Sequence, residues 1–228
     1  MIYLISDPHG GESMKGLERF LEIGTDSDVL IILGDLGIKF EDTKENKAFT
    51  EWFLGLNMQI AIVEGNHENH AYLNAFPTDI WCGGEVNRIS DTIVRLKRGN
   101  IYHIEGNTFW VMGGCKSSAK WKEMGLWFDG EEPTEEELSL GYSSLSKYNH
   151  KIDYVLTHKY VNYKDIEDNK YPQLSLEGLT KYIDENVVFS HWYSGHWHIN
   201  KRIDARHTIV YDEPISLAVE SVSSETLS

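Results

Sequence analysis

Positions 59–68 read Gln-Ile-Ala-Ile-Val-Glu-Gly-Asn-His-Glu, and this stretch narrows the folds open to the chain more than any other. The unbroken run Ile60, Ala61, Ile62, Val63 has no polar side to offer solvent. It reads as a strand buried on both faces, and such strands belong to sheets with helical covers. Gly65 lets the backbone turn sharply, and Asn66, His67 and Glu68 follow with no apolar residue between them. In open α/β sheets ligands sit in the crevice beyond the carboxyl ends of strands, which makes this amide and imidazole candidates for chemistry.

The same arrangement recurs upstream. Residues 2–6 read as a strand that stops at Asp7-Pro8-His9-Gly10-Gly11. Pro8 biases Asp7 towards extended backbone, and residues two apart on an extended segment share a face, so Asp7 and His9 are expected to grip one object. Residues 12–23 place Leu17, Phe20 and Leu21 on one helical stripe and stop before Gly24. A second strand at 29–33 ends in Gly34-Asp35, and a helix at about 43–55 buries Ala48, Phe49, Trp52 and Phe53 with Leu56 just beyond it. This β-α-β-α-β order predicts right-handed crossovers and three parallel strands.

After His70 the rhythm changes. Short aromatic or β-branched segments at 89–96, 100–104 and 108–112 are separated by Arg98-Gly99-Asn100 and Glu105-Gly106-Asn107, which is hairpin chemistry and suggests a move to a second sheet. Residues 115–150 are acidic and helix-prone, with Thr134 and Glu137 spaced as a capping box, and read as a surface excursion carrying Trp121 and Trp127. Strand character returns at 154–156 and ends in Thr157-His158; a loop with Lys159, Lys164 and Lys170 leads to a helix near 175–185, capped by Ser175. Residues 187–190 then run through Trp192 and Tyr193 to Gly195-His196-Trp197-His198. Strands at about 199–203, 208–211 and 215–219 are expected to close the second sheet, and 221–228 reads as a frayed polar tail after a single domain over 1–220.

Charge bears on the partner. With 21 Lys plus Arg against 36 Asp plus Glu the net charge is −15, a surface that repels polyanions and argues against stable nucleic-acid binding. A small anion held through metal is not excluded, because ligand carboxylates are neutralised locally. Cys82 and Cys115 are too few and too far apart for a disulfide framework or zinc knuckle, and read as small buried side chains in a reducing compartment. The opening apolar run is too short for a signal peptide, and no run approaches membrane length, so a soluble cytoplasmic protein is expected.

Taken singly, each strand-end polar residue has a plain explanation: Asp caps helices, and a lone His is often a satisfied core imidazole. Those explanations do not predict that five separate strand ends would finish in metal-ligand chemistry. Asp7-Pro8-His9, Gly34-Asp35, Gly65-Asn66-His67-Glu68, Thr157-His158 and Gly195-His196-Trp197-His198, in that order, resemble the calcineurin-like metallophosphoesterases, in particular the small stand-alone members of bacteria and their viruses. The resemblance implies an α/β fold, a four-layer αββα sandwich with two central mixed β-sheets flanked by helices. It implies one metal on Asp7, His9 and His198, another on Asn66, His158 and His196, and Asp35 bridging both. It also implies a metal-bridging hydroxide as nucleophile, with Asp35 and His67 the catalytic residues and His67 acting as general acid. Four imidazoles, two carboxylates and an amide are too nitrogen-rich for Mg²⁺ or Ca²⁺ and suit two divalent transition ions, Mn²⁺ first, with Fe, Zn, Co or Ni also admitted. Ions about 3.5–4 Å apart stabilise both attacking and leaving oxygens of an in-line displacement.

The chain departs from the family where many members continue Gly-Asp with Asp and Arg. Here Asp35 is followed by Leu36-Gly37-Ile38-Lys39-Phe40, so Lys39, Arg88, Arg202 or Arg206 has to replace the phosphate-clamping arginine, or the substrate is not a phosphoprotein. Asn66, Arg202, Arg206 and Trp197 are the candidate substrate contacts. Trp192 and Trp197 flank metal ligands and Trp81 and Trp121 lie on loops, so a flat group has somewhere to stack, although burial is the plainer role for an aromatic. The expected activity is hydrolysis of a small phosphorylated substrate, a phosphomonoester first. A phosphodiesterase or nuclease acting on nucleotides or cyclic nucleotides is the alternative, and a non-catalytic metal-binding adaptor the rival from another class; retention of His67 argues against the adaptor.

Overall fold

The computed structural model describes residues 1–160 and 173–217. Along the chain run β1 (Ile2–Ile5), a 3-10 turn at His9–Gly11, α1 (Lys15–Ile23), β2 (Val29–Leu33), α2 (Lys44–Leu54), β3 (Gln59–Val63) and α3 (His70–Asn74). The middle carries β4 (Thr78–Trp81), β5 (Gly84–Arg88), β6 (Ile93–Leu96), β7 (Ile101–Ile104), β8 (Asn107–Met112), α4 (Ala119–Glu123) and α5 (Glu135–Lys147). The rest is β9 (Tyr154–Thr157), α6 (Leu176–Asn186), β10 (His191–Ser194), β11 (Lys201–Arg202), β12 (His207–Ile209) and β13 (Ile215–Leu217).

Alternation along the buried strands explains the layering. In β1, Ile2 and Leu4 face one core while Tyr3 and Ile5 face another, and β2 and β3 divide in the same way. The first of these cores lies between two sheets, where Ile31, Leu33 and Val63 meet Phe109, Val111 and Leu156. The second packs the outer face of the first sheet against Leu17 and Phe20 of α1 and Phe49 and Phe53 of α2. A third places Trp110, Met112, Val155 and Trp192 against Leu138 and Leu145 of α5 and Leu179 and Ile183 of α6. Helices, sheet, sheet, helices is the four-layer order, and removing both strand faces from water is why these runs carry no polar residue.

The first sheet is ordered β13-β1-β2-β3-β6-β5-β4 and the second β11-β12-β10-β9-β8-β7. Parallel pairs β1-β2, β2-β3 and β3-β6 form the centre of the first sheet, and β8-β9, β9-β10 and β10-β12 that of the second; antiparallel strands edge both, so both sheets are mixed.

Several boundaries differ from the sequence expectation. The segment ending at Leu96 does not open the second sheet: β6 pairs in parallel with β3, and the chain crosses between Leu96 and Ile101. The hairpin β4-β5 was not foreseen, because β4 is a largely exposed edge without apolar alternation. β13 does not close the second sheet but pairs antiparallel with β1. Residues 187–190 hold only the bridge Lys151 to Val188, and the strand proper is His191–Ser194. α5 is a structural cover rather than a surface excursion; its Thr134–Glu137 capping box is formed, with Glu137 N–H donating to Thr134 Oγ1 at 3.2 Å and Thr134 N–H to Glu137 Oε2 at 2.9 Å. Lys164, Lys170, the end of the strand expected at 215–219 and the tail at 221–228 lie outside the described residues.

A buried charge cluster ties the layers beside the site. Glu64, one residue past β3, pairs with Arg95 at 2.5 Å and with Arg98, and Arg98 also reaches Glu137 of α5 at 3.0 Å and the Gly130 carbonyl at 2.7 Å. A buried carboxylate requires partners, and here two guanidiniums supply them while anchoring the chain before α5.

Candidate metal centre

Each polar strand end foreseen in the sequence reaches one crevice, but by a backbone geometry the sequence reading had wrong. Asp7 is not extended: its φ is 58°, and His9 (48°), Asp35 (51°), His196 (75°) and His198 (50°) share the left-handed region. For residues other than glycine this conformation generally costs of order 1–3 kcal/mol each and persists where the surroundings over-determine it. Glycines give the ligands room. Gly34 has φ +98°, and a Cβ there would lie 2.2 Å from His158 Nδ1; a Cβ on Gly65 would lie 2.1 Å from Asp35 Oδ1.

The side chains form two groups that meet at Asp35. In the first, His9 Nε2 and His198 Nε2 are 2.8 Å apart, and Asp7 Oδ1 lies 3.8 Å and 3.4 Å from them. In the second, His158 Nε2 lies 3.0 Å from Asn66 Oδ1 and 3.2 Å from His196 Nδ1. Asp35 turns Oδ2 to His9 at 3.7 Å and Oδ1 to His158 at 3.4 Å. His158 Nδ1–H donates to the Leu33 carbonyl at 2.8 Å, which fixes the tautomer and leaves Nε2 facing the crevice. His196 and His198, two positions apart, serve different groups.

The electrostatics describe a site short of positive charge. Burial opposes ionisation of Asp35, yet the imidazoles of His158, His9 and His67 hold it well below the usual carboxylate range. Burial also disfavours charge on His158, but Asp35 and Asp7 raise it to about 9. His196 is lowered to about 3 by burial and by His158. Glu68 is raised to about 8 by burial and by Asp35, although its carboxylate accepts from the N–H groups of Leu36 (2.8 Å), Gly37 (3.1 Å) and Gly65 (3.4 Å) and so fixes the turn that carries Asp35.

His67 sits at the rim. Its backbone N–H donates to Asp35 Oδ1 at 2.7 Å, and its ring meets those of Trp121, Phe40 and His9 at centroid distances of 4.6, 5.4 and 5.5 Å. Beyond it opens a cleft of about 990 Å³ whose walls include Glu12, Glu41, Lys116, Trp121, Lys159 and Trp197. None of Lys39, Arg88, Arg202 or Arg206 lines this cleft. Arg88 is paired to Asp79 at 2.5 Å, Arg202 donates to the carbonyls of Asp204 and Ala205, and Arg206 lies 3.5 Å from Asp184. Trp192 is buried with its indole N–H on Thr157 Oγ1, and Trp81 packs on Tyr102, so neither stands at the site.

Sequence reasoning missed Cys115, Lys116 and Ser117. Cys115 Sγ–H donates to Asn66 Oδ1 at 3.0 Å, and Asn66 Nδ2 donates to Ser117 Oγ at 2.8 Å. The signal was present, since β8 is one more apolar run ending in glycines, Gly113 and Gly114.

Residues 1–200 match the family model for calcineurin-like phosphoesterases. The chain belongs to that family. No curated protein matches its sequence. Among solved structures, a putative 5'-nucleotidase from Staphylococcus aureus, in complex with alpha-ketoglutarate, is similar at 15% identity and a TM-score of 0.47, over 92% of this chain and 48% of that one. The chain thus spans about half the length of that protein.

The residues fit the metal dependence of the family. Asp7 Oδ1 is fully buried, makes no hydrogen bond and faces His9 and His198. An orphaned carboxylate oxygen among imidazole nitrogens is costly unless a cation completes it. Asp7, His9 and His198 on one side, and Asp35 with Asp7 and His158 deeper in, bring one ligand atom each within 4.8 Å of one another. Among the described residues no helix is long and apolar enough to cross a membrane.

Proposed function

We propose that the chain hydrolyses the phosphate monoester of a small substrate, with one divalent ion held by Asp7, His9, Asp35 and His198 and a second by Asp35, Asn66, His158 and His196. The observation that carries this reading is Asp35: a buried carboxylate whose two oxygens face two separate ligand groups, 3.7 Å from His9 and 3.4 Å from His158. When bound, the two ions, Mn²⁺ first, supply charge stabilisation for the phosphoryl oxygens and a water acidified to a pKa of about 7.

The protein's own groups do the rest. His67 stands at the mouth of the crevice in a cage of three rings and donates a proton to the leaving oxygen. Among the described residues Lys116 and Lys159 are the lysines on the cleft wall, and they take the phosphate-attracting role in place of Arg202 and Arg206, which do not line it. Glu12, Glu41 and Glu45 on the same wall oppose a long polyanion, which favours a small substrate over nucleic acid.

A second reading, a phosphodiester or nucleotide substrate, draws on one feature. Trp197 is half exposed at the rim with Lys159 Nζ 5.4 Å over its ring, and a cleft of this size takes more than a bare phosphate. Comparing mono- and bis-aryl phosphates under Mn²⁺, with Asp35→Asn as the inactive control, separates the two. His67→Ala is expected to keep its metals and lose about 10²–10⁴ in rate. A metal-free His67→Ala would make His67 a ligand, and a metal-loaded protein inert to every ester would leave the adaptor reading.

A further inference from the structure

We propose that Cys115 is a ligand of the second ion, so that this half of the centre selects a thiophilic metal, Zn²⁺ or Co²⁺, while the first half does not. The inference rests on the dinuclear reading above and adds to it a donor that the five sequence blocks do not contain.

The placement argues for ligation. Cys115 is 1% exposed, on the turn that leaves β8, with Sγ 3.0 Å from Asn66 Oδ1 and 3.6 Å from His196 Nδ1. His158 Nε2 closes the set at 3.0 Å from Asn66 Oδ1 and 3.2 Å from His196 Nδ1. Sγ, His158 Nε2 and His196 Nδ1 all lie within 4.8 Å of one another. Zinc bonds of about 2.3 Å to sulfur and 2.0–2.1 Å to nitrogen put neighbouring donors on a tetrahedral ion roughly 3.3–3.6 Å apart. Sγ to His196 Nδ1 at 3.6 Å and His158 Nε2 to His196 Nδ1 at 3.2 Å stand at about that spacing, and the two 3.0 Å contacts to Asn66 Oδ1 open by a few tenths of an ångström when an ion enters. With Asp35 Oδ1 3.4 Å from His158 Nε2, the thiol, two imidazoles, an amide oxygen and a carboxylate oxygen make one five-donor group, and there is no sulfur in the group of Asp7, His9 and His198.

Softness then divides the two halves. A thiolate prefers zinc and similar borderline ions, and carboxylate with imidazole accepts manganese. On binding, the S–H bond breaks, its proton leaves to solvent and a sulfur–metal bond forms, with no change of oxidation state. The rival role is an outer contact, the thiol merely donating to Asn66 Oδ1 and orienting it.

Cobalt separates the two roles without an activity assay. Cys82 and Cys115 are the two cysteines of the sequence, so a Cys82→Ser background leaves Cys115 as the sole thiol. Titrating this protein with Co²⁺ is expected to give visible d–d bands and, at one equivalent, an intense near-ultraviolet thiolate-to-cobalt band, together with protection of Cys115 from alkylation. Adding Cys115→Ser removes the band, retains cobalt and lowers the Zn²⁺ over Mn²⁺ preference by about tenfold or more. Cobalt bound with d–d bands but no charge-transfer band, and alkylation as fast as in metal-free protein, overturns the thiolate while leaving the dinuclear centre standing. Failure to bind cobalt at all overturns both. The spectrum of the background protein reads the proposal even where the serine variant folds poorly.

Discussion

The Trp121 indole meets the His67 imidazole edge to face, with ring centroids 4.6 Å apart and planes at 82°. Trp121 lies on α4 and His67 just past β3, so a segment far along the chain returns to hold the ring at the mouth of the crevice. Aromatic pairs of this geometry are worth about 0.5–1.5 kcal/mol, so Trp121→Ala should lower turnover by about two- to tenfold, with metal content unchanged. Steady-state rates beside metal analysis check it; lost metal would make Trp121 a prop of the whole site.

Gly34 is where backbone and space refuse a side chain together. Its φ is +98° and a Cβ would lie 2.2 Å from His158 Nδ1. Gly34→Ala should cost about 1–3 kcal/mol in strain and, by displacing His158, empty the second ligand group. Thermal melts and metal stoichiometry report the two effects separately. Native stoichiometry in this variant would mean that His158 is free to move.

Much of the site is legible in the sequence because the message is local. An apolar run closed by glycine or a small hydroxyl residue and then a polar one marks a strand end, and Asp35, Asn66 and His196 after glycine, with Asp7 after Ser6 and His158 after Thr157, stand out that way. What local pattern cannot supply is the backbone bend beyond the strand. Pro8 suggests extended geometry at Asp7, whereas it stands at φ 58°, its N–H donating to the Gly34 carbonyl at 3.0 Å and its Oδ2 accepting from His196 N–H at 2.9 Å. The left-handed backbone at His196 and His198 is equally invisible in the sequence, and the pair turns to different groups. Long-range pairing is hidden for the same reason: nothing near Ile215–Leu217 says that its partner is β1. Cys115 and Lys116 escape a reading confined to strands that end in histidine or acid, though β8 ends in the same glycine signal.

His207 gives the fold a pH dependence away from the centre. Its Nε2 lies 3.1 Å from Asp184 and its Nδ1 2.9 Å from Asp204, an arrangement that suits the imidazolium. Burial disfavours that charge, but the two carboxylates outweigh it and raise the pKa. A raised folded-state pKa stabilises fully below the unfolded value of about 6.5 and ceases to do so as pH rises through the folded value. His207→Gln should therefore cost about 1–3 kcal/mol at pH 6, and its gap from the native protein should narrow as the medium turns alkaline. Denaturant midpoints across that range test the sign; a gap that widens with pH would contradict it.

The most direct measurement is anomalous diffraction from crystals of the protein loaded with Mn²⁺. Two peaks roughly 3.5–4 Å apart, with the Asp35 carboxylate between them and Asp7, His9 and His198 on one side, are the predicted result. A single peak, or two that leave Asp35 without contact to either, would contradict the account.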